Sequence, residues 1–261
     1  VFTVQTDTAS SVKNDIKALR KAIDEANHPA LFFVDCIASL GCDKFEMDAW
    51  GVDVMVTGCQ KGLMTPAGMS FVFFNDKSHV MHQRANLKTP YWDWEPRANP
   101  EVFYQHFCGT APTHHLYGLR EALNILVHEE GIEAAWARHM TMSRAVWAAV
   151  EAWGCLAVNI KEPSKRSQAV TTVLSKNDEC GRLRHWCEHK AGLTLGIGLG
   201  LAEPGQKSWD NVMRIGHMGH MNPVMLMGAL GTIDAGLKAM RIPHGPDALN
   251  AASSEIAKHF F

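Results

Sequence analysis

No apolar run in this chain of 261 residues is long enough for a membrane-spanning helix. Its opening residues, Val1-Phe2-Thr3-Val4-Gln5, have neither the basic nor the apolar region of a signal peptide. No Cys-x-x-Cys pair occurs among the seven cysteines (Cys36, Cys42, Cys59, Cys108, Cys155, Cys180 and Cys187), an odd and scattered set that reads as reduced thiols. Neither sign of charge dominates: the formal net charge is −2, which gives no reason to expect nucleic acid, a membrane surface or a polyanionic substrate. No internal repeat is visible, and no initiator methionine opens the chain. The expectation is a cytoplasmic, untargeted protein and a fragment of a longer one. The residues present, 46% apolar and 20% charged, suffice to bury the core of one large domain or two ordinary ones.

Residues 1–4 form a β-rich run followed by a polar stretch over 6–14. Ile16, Leu19, Ile23 and Ala26 then recur at helical spacing between Lys17, Arg20, Lys21 and Asp24. Short, continuously apolar runs at 31–34 and 52–56 predict buried strands, ended by Asp35 and by Thr57-Gly58, with a further strand over 69–74. Strands alternating with helices and apolar on both faces predict an α/β domain with a mostly parallel sheet. Helical patterns run from Leu116 to Gly131 and from Ile132 to Gly154. The break at Gly131 is the expected boundary between a larger domain (1–131) and a smaller one (132–261). The second reads as α+β, with strands at 169–174 and 212–215, helices near 178–190 and 223–240, and a weakly helical tail over 247–261.

In open parallel sheets ligands bind beyond the C-terminal ends of the strands, where Asp35 and Gly58-Cys59-Gln60-Lys61 both fall. An acid at one strand end and a lysine at the next suit an aldehyde cofactor with a pyridine ring: the amine forms an imine and the acid holds the ring nitrogen protonated. Alone, each has a plainer explanation, since an Asp after a strand caps turns and most lysines are solvated.

Five segments in order change the weighing. They are His28-Pro29-Ala30-Leu31-Phe32-Phe33-Val34-Asp35, Met47-Asp48-Ala49-Trp50-Gly51-Val52-Asp53, Thr57-Gly58-Cys59-Gln60-Lys61-Gly62, Leu116-Tyr117-Gly118-Leu119-Arg120 and Met213-Arg214-Ile215-Gly216-His217-Met218-Gly219. With them the chain resembles, essentially end to end, the class V aminotransferases of pyridoxal-phosphate fold type I. The likeness is nearest to the serine-glyoxylate and alanine-glyoxylate branch. It implies the C-terminal part of that fold's large domain followed by its small domain, with pyridoxal 5'-phosphate as cofactor.

By resemblance, Lys61 corresponds to the Schiff-base lysine, Asp35 to the partner of the pyridine nitrogen, and Gln60 to the glutamine near the cofactor phosphate. Ile37 corresponds to a residue against one ring face, with plain core as the alternative. Thr8, in Asp7-Thr8-Ala9-Ser10-Ser11, matches the hydroxyl residue that bonds the ring oxygen, although the family usually has glycine where Ser11 stands; a simple turn is the alternative. Thr110 matches the threonine that reaches the other subunit's cofactor phosphate across a homodimer interface, with a helix N-cap before Leu116 as the alternative. Arg214 matches the arginine that grips the substrate carboxylate, for which a planar guanidinium is suited; an interdomain salt bridge is the alternative. His217 receives no chemical role.

The implied activity moves an amino group from a small amino acid (serine, alanine or aspartate) to a small 2-oxo acid such as glyoxylate or pyruvate, with Lys61 as tether and proton carrier. Gly196-Ile197-Gly198-Leu199-Gly200 resembles a dinucleotide loop but lacks the strand-turn-helix setting. His114-His115, His185 and His189 match no zinc spacing. Two other readings stand. One is a lyase or desulfurase of the same class, against which Gln60 and the Arg-Ile-Gly-His segment weigh. The other is a truncated, catalytically incomplete domain that dimerises, because the family's glycine-rich phosphate loop and ring-stacking aromatic would precede Val1.

Overall fold

The computed structural model describes residues 1–260. Strands β1 (Phe2–Val4), β2 (Phe33–Asp35), β3 (Val54–Gly58) and β4 (Ser70–Phe74) form one sheet in that order. The first three are parallel and β4 is antiparallel to β3. Helix α1 (Ile16–Glu25) begins where the Asp15 side chain accepts from the Ala18 N–H, and it buries Ile16 and Ile23 against Phe32, Val34, Val52 and Met55. β3 starts two residues later than the apolar run predicts. The Asp53 carboxylate instead takes the Phe32 N–H at 2.8 Å, the Asn75 amide at 3.0 Å and Lys77 at 3.1 Å, fixing the corner before the strand.

Helices α2 (Asp76–Gln83) and α3 (Glu95–Ala98) occupy a stretch without helical periodicity. The Asn75 side chain caps α2 by accepting from the Ser78 N–H. Helix α4 (Thr113–Leu123) passes into a π-helical turn, Asn124–Glu129, where one uninterrupted helix was expected. Gly131, at φ 85°, then opens α5 (Ile132–Trp153), which closes on Gly154 at φ 70°.

Strands β5 (Leu156–Val158), β6 (Val170–Ser175) and β7 (Val212–Gly216) make a second, wholly antiparallel sheet. Helices α6 (Glu179–Ala191), α7 (Pro223–Ala239) and α8 (Ala248–Ala257) cover it together with α5. Their shared core includes the fully buried Met142, Trp153, Leu183, Met213, Leu226, Leu230, Ile233 and Leu237. The last helix is no loose tail: Ala248 and Ala252 are wholly buried, and small side chains let α8 lie close against α5. A smaller cluster of Leu63, Leu126 and Ala135 joins the turn after β3 to α5. Among the described residues no helix is long and apolar enough to cross a membrane.

Candidate functional site

The C-terminal ends of the three parallel strands lie side by side, with Val4 opposite Asp35 and Asp35 opposite Val56. The segments leaving these strands therefore share one sheet edge: residues 5–13 after β1, residues 36–43 after β2, and the Lys61 turn after β3.

The turn is built on backbone-to-backbone packing. A Cβ on Gly62 would lie 1.9 Å from the Leu40 carbonyl oxygen, so no other residue fits there without moving the chain. Gly41, at φ 82°, packs on the Gly62 carbonyl from the other side. Met64 N–H donates to the Lys61 carbonyl at 3.0 Å, and the Thr65 hydroxyl donates to the Cys59 carbonyl at 2.9 Å. Gln60 is exposed and folds its amide oxygen back toward Gly58. Lys61 is half-buried, and among the described residues no hydrogen bond or ion pair holds its Nζ. Burial first, and then the neighbouring Arg214 guanidinium, lower the Lys61 pKa from its ordinary value, against the opposing charge of Asp35. Of the three residues expected to act together, Lys61 is thus within electrostatic reach of both Asp35 and Arg214.

Asp35 accepts the Ile37 N–H at 2.7 Å on Oδ1, so the plainer turn-forming role is also real; it leaves the second oxygen without a hydrogen bond among the described residues. Ile37 is half-buried beside it. Thr8 accepts at its carbonyl from Arg214 Nη1 at 3.1 Å, while its hydroxyl has no hydrogen bond among the described residues.

Arg214 sits in β7. Its Nε donates to the Ile197 carbonyl at 2.7 Å, and burial lowers its pKa against the opposing charge of Asp7. No carboxylate lies in ion-pair contact with it among the described residues. Asp7 instead accepts from the Ala9 and Ser10 N–H groups and from the Ser10 hydroxyl.

Thr110 stands apart. It is exposed in the loop between Gly109 and α4, and no hydrogen bond joins it to Lys61, Asp35 or Arg214 among the described residues. It is not a helix cap either, since Pro112 occupies the N-cap of α4 without a side-chain bond.

Three contributors were given no part in the site by sequence reasoning. Gly196 bridges Arg214 through a pair of 2.9 Å backbone bonds, and a Cβ there would lie 3.0 Å from Arg214 Cβ. The glycine run 196–200 is therefore a strip laid along β7, with Gly198 tight against Val212, and its glycine spacing was the visible signal. Arg138 on α5 is the second. It grips Glu130 through two hydrogen bonds of 2.6 and 2.9 Å and donates to the Gly219 and Met221 carbonyls at 3.0 Å each. Gly219, at φ 80°, lies against the Lys61 carbonyl, so Arg138 braces the Lys61 turn from beneath. Nothing in the helical pattern marks it. The third is Ser11, at φ 64°.

His217 is wholly buried and structural in its contacts. Its Nδ1 faces the Gln168 carbonyl at 3.0 Å and its Nε2 the Thr171 hydroxyl at 2.8 Å, which in turn accepts from the Trp147 indole. Burial pushes its pKa down to about 3.

The aminotransferase class-V family pattern matches residues 1–223. Among curated relatives, serine–glyoxylate aminotransferase of Methylorubrum extorquens is 38% identical over 99% of this chain and 63% of its own length. The enzyme of the same name from Arabidopsis thaliana is 33% identical over 98% of this chain and 62% of its own length. The chain thus spans rather less than two thirds of these relatives. Among solved structures, pyridoxamine-pyruvate aminotransferase from Mesorhizobium loti superposes with a TM-score of 0.86 at 26% identity, covering 99% of this chain and 64% of that one. With a lysine and an acid at the edge of one sheet, an arginine from the other sheet felt by that lysine, and a match that runs from the first strand past β7, the chain belongs to the class-V aminotransferase family.

Proposed function

We propose that this chain carries the lysine-bearing portion of a pyridoxal-phosphate-dependent transaminase that moves an amino group from a small amino acid to a small 2-oxo acid. Serine, alanine or aspartate are the donors and glyoxylate or pyruvate the acceptors that the relatives' names support. The observation that carries the proposal is a Lys61 amine, without a hydrogen bond among the described residues, whose pKa is lowered by burial and by the neighbouring Arg214 guanidinium, which makes no ion-pair contact of its own there.

The donor set fits the cofactor. Lys61 is the tether, Asp35 would hold a proton on a pyridine nitrogen, Ile37 would lie against the ring, Thr8 would meet its oxygen, and Gln60 would stand toward the phosphate. When bound, pyridoxal phosphate supplies an electron-withdrawing ring that takes up the electron pair left as the substrate α-carbon loses its proton. Arg214 would hold the substrate carboxylate through two parallel N–H bonds and orient the α-hydrogen. Lys61 Nζ would then accept that proton and carry it onward, a role helped by the burial and the neighbouring Arg214 that lower its pKa.

Thr110, exposed and without a hydrogen bond to Lys61, Asp35 or Arg214 among the described residues, supports a homodimer in which it serves the other subunit's site. Division at Gly131 into domains 1–131 and 132–261 belongs to the same reading, supported by two sheets with separate cores; α5 lies in the second core and reaches, through Ala135, the small cluster under the Lys61 turn. Seven free cysteines support the cytoplasm as location. Against a desulfurase, Cys42, the thiol whose charge Lys61 feels, is pushed up by burial to about 12, and the exposed Cys108 lies with Thr110.

The test is spectroscopic and catalytic. Added pyridoxal phosphate is expected to give the full-length protein a visible absorbance band that Lys61→Ala abolishes, and Arg214→Ala is expected to raise the donor KM by about a hundredfold. No band and no turnover across a donor-by-acceptor panel would overturn the proposal. A band without turnover in the 261-residue chain would favour the incomplete-domain reading for this portion alone.

A further inference from the structure

Ser11 holds a backbone conformation, φ 64°, that a residue with a Cβ avoids, and it does so while only 4% exposed, so its side chain must be doing something a glycine cannot. Strand β5 ends at Val158 opposite Val173. One residue further, the Asn159 N–H still reaches the Thr172 carbonyl at 2.9 Å, but the reciprocal bond from the Thr172 N–H does not return to Asn159. The Ser11 hydroxyl takes it instead, at 2.5 Å, and donates to Thr172 Oγ1. Thr172 Oγ1 then donates onward to the Ala9 carbonyl at 2.7 Å. The Asn159 side chain, displaced from the ladder, donates to the Ser10 carbonyl at 2.9 Å.

Thr172 is the residue directly opposite Arg214 in the β6–β7 pairing. Residues 8–11 therefore form a bracket with one end on the Arg214 guanidinium, through the Thr8 carbonyl, and the other on the strand residue facing Arg214. We infer that Ser11 is a positioning residue: its hydroxyl fixes the loop bearing Thr8 to β6 and so sets where the Arg214 guanidinium meets a substrate carboxylate. The inference rests on the transaminase reading for what that carboxylate belongs to. A glycine would adopt the same φ freely but would leave a buried N–H of β6 without an acceptor, and the bracket would loosen.

The experiment is a double-mutant cycle in the full-length protein with Ser11→Gly, Thr172→Val and the pair. It reads kcat and KM for the amino donor, and by calorimetry the dissociation constant of 2-methylalanine, which has the carboxylate but no α-hydrogen to lose. Ser11→Gly is expected to raise KM and this dissociation constant about tenfold with kcat within about twofold. Because both side chains act through one link, the pair is expected to lose no more than the worse single variant. Unchanged binding in Ser11→Gly, equal losses in kcat and kcat/KM, or fully multiplying effects in the pair would overturn the inference. The two readings fail separately. A wild-type protein that turns over while Ser11→Gly binds normally refutes only the positioning role. One that binds the analogue through Ser11 but transaminates nothing refutes only the transaminase.

Discussion

Gly62 is where a single methyl group decides the site. Its missing Cβ is the space occupied by the Leu40 carbonyl, only 1.9 Å away, and the neighbouring residue is Lys61. Gly62→Ala must push the turn off Leu40, and a displacement of about 1 Å at the lysine is enough to cost about a hundredfold in rate. The expected outcome is a cofactor band weakened or lost in Gly62→Ala while far-ultraviolet circular dichroism stays native; a normal band with normal turnover would contradict this packing. Lys61, Asp35 and Arg214 were readable because each follows or lies in a strand whose apolar run announces it and falls in a motif of the resembling family. Ser11 was readable only as a departure. Arg138 was not readable at all: it is one more charged residue on a long helix, and its partners, Glu130 and the carbonyls of Gly219 and Met221, are set by tertiary packing.

At the scale of elements, α5 and β7 are joined by two imidazoles that must stay neutral. His139 is wholly buried on α5, with Nδ1 on the Ala135 carbonyl at 2.7 Å, and burial takes its pKa down to about 4; His217, at the end of β7, falls to about 3. Both folded values lie below the ordinary 6.5, so the unfolded chain binds the extra protons. Stability from these groups is full above pH 6.5 and drains as the pH falls toward 4. Each contributes a slope of about 1.4 kcal/mol per pH unit in that window. Asp43, whose carboxyl burial raises, opposes the trend only as the pH approaches its own titration. Urea midpoints at pH 6.5, 5.5 and 4.5 should fall steadily, and His217→Gln should flatten the decline by about half; a flat wild-type profile would exclude two buried neutral imidazoles. The elements themselves were largely foreseen from periodicity. The misses are physical: β5 is too short to show alternation, α2 rests on its Asn75 cap and α3 follows Trp94 stacked on Phe74, and α8 is small-residue packing that reads as weak helix until α5 is there to receive it.

Considered whole, the molecule leaves an apolar stretch exposed among its described residues. Leu87, Tyr91, Trp92, Phe103, Tyr104 and Tyr117 are each 59–89% exposed, and all lie in the stretch leading to or from Thr110. A monomer rarely leaves such surface in water, so the proposed homodimer would place this stretch at its interface. Sedimentation of the full-length protein should give a dimer, and Phe103→Asp with Tyr104→Asp should shift it toward monomer and weaken cofactor retention. A monomeric wild-type protein that keeps its cofactor would exclude the shared site. Association of this kind could not be read from composition, since an exposed aromatic and a core aromatic look alike in sequence.

The bond from Arg214 to Thr8 spans 206 residues of chain. On a ribosome adding about 5–20 residues per second, the Thr8 loop emerges roughly ten to forty seconds before the strand that will hold it. The first sheet can form in that interval, but its working edge stays open until β7 arrives. The site is thus completed late in synthesis, with only α7 and α8 still to come, and a synthesis halted before β7 would leave the Lys61 sheet without the arginine proposed to place a substrate against it.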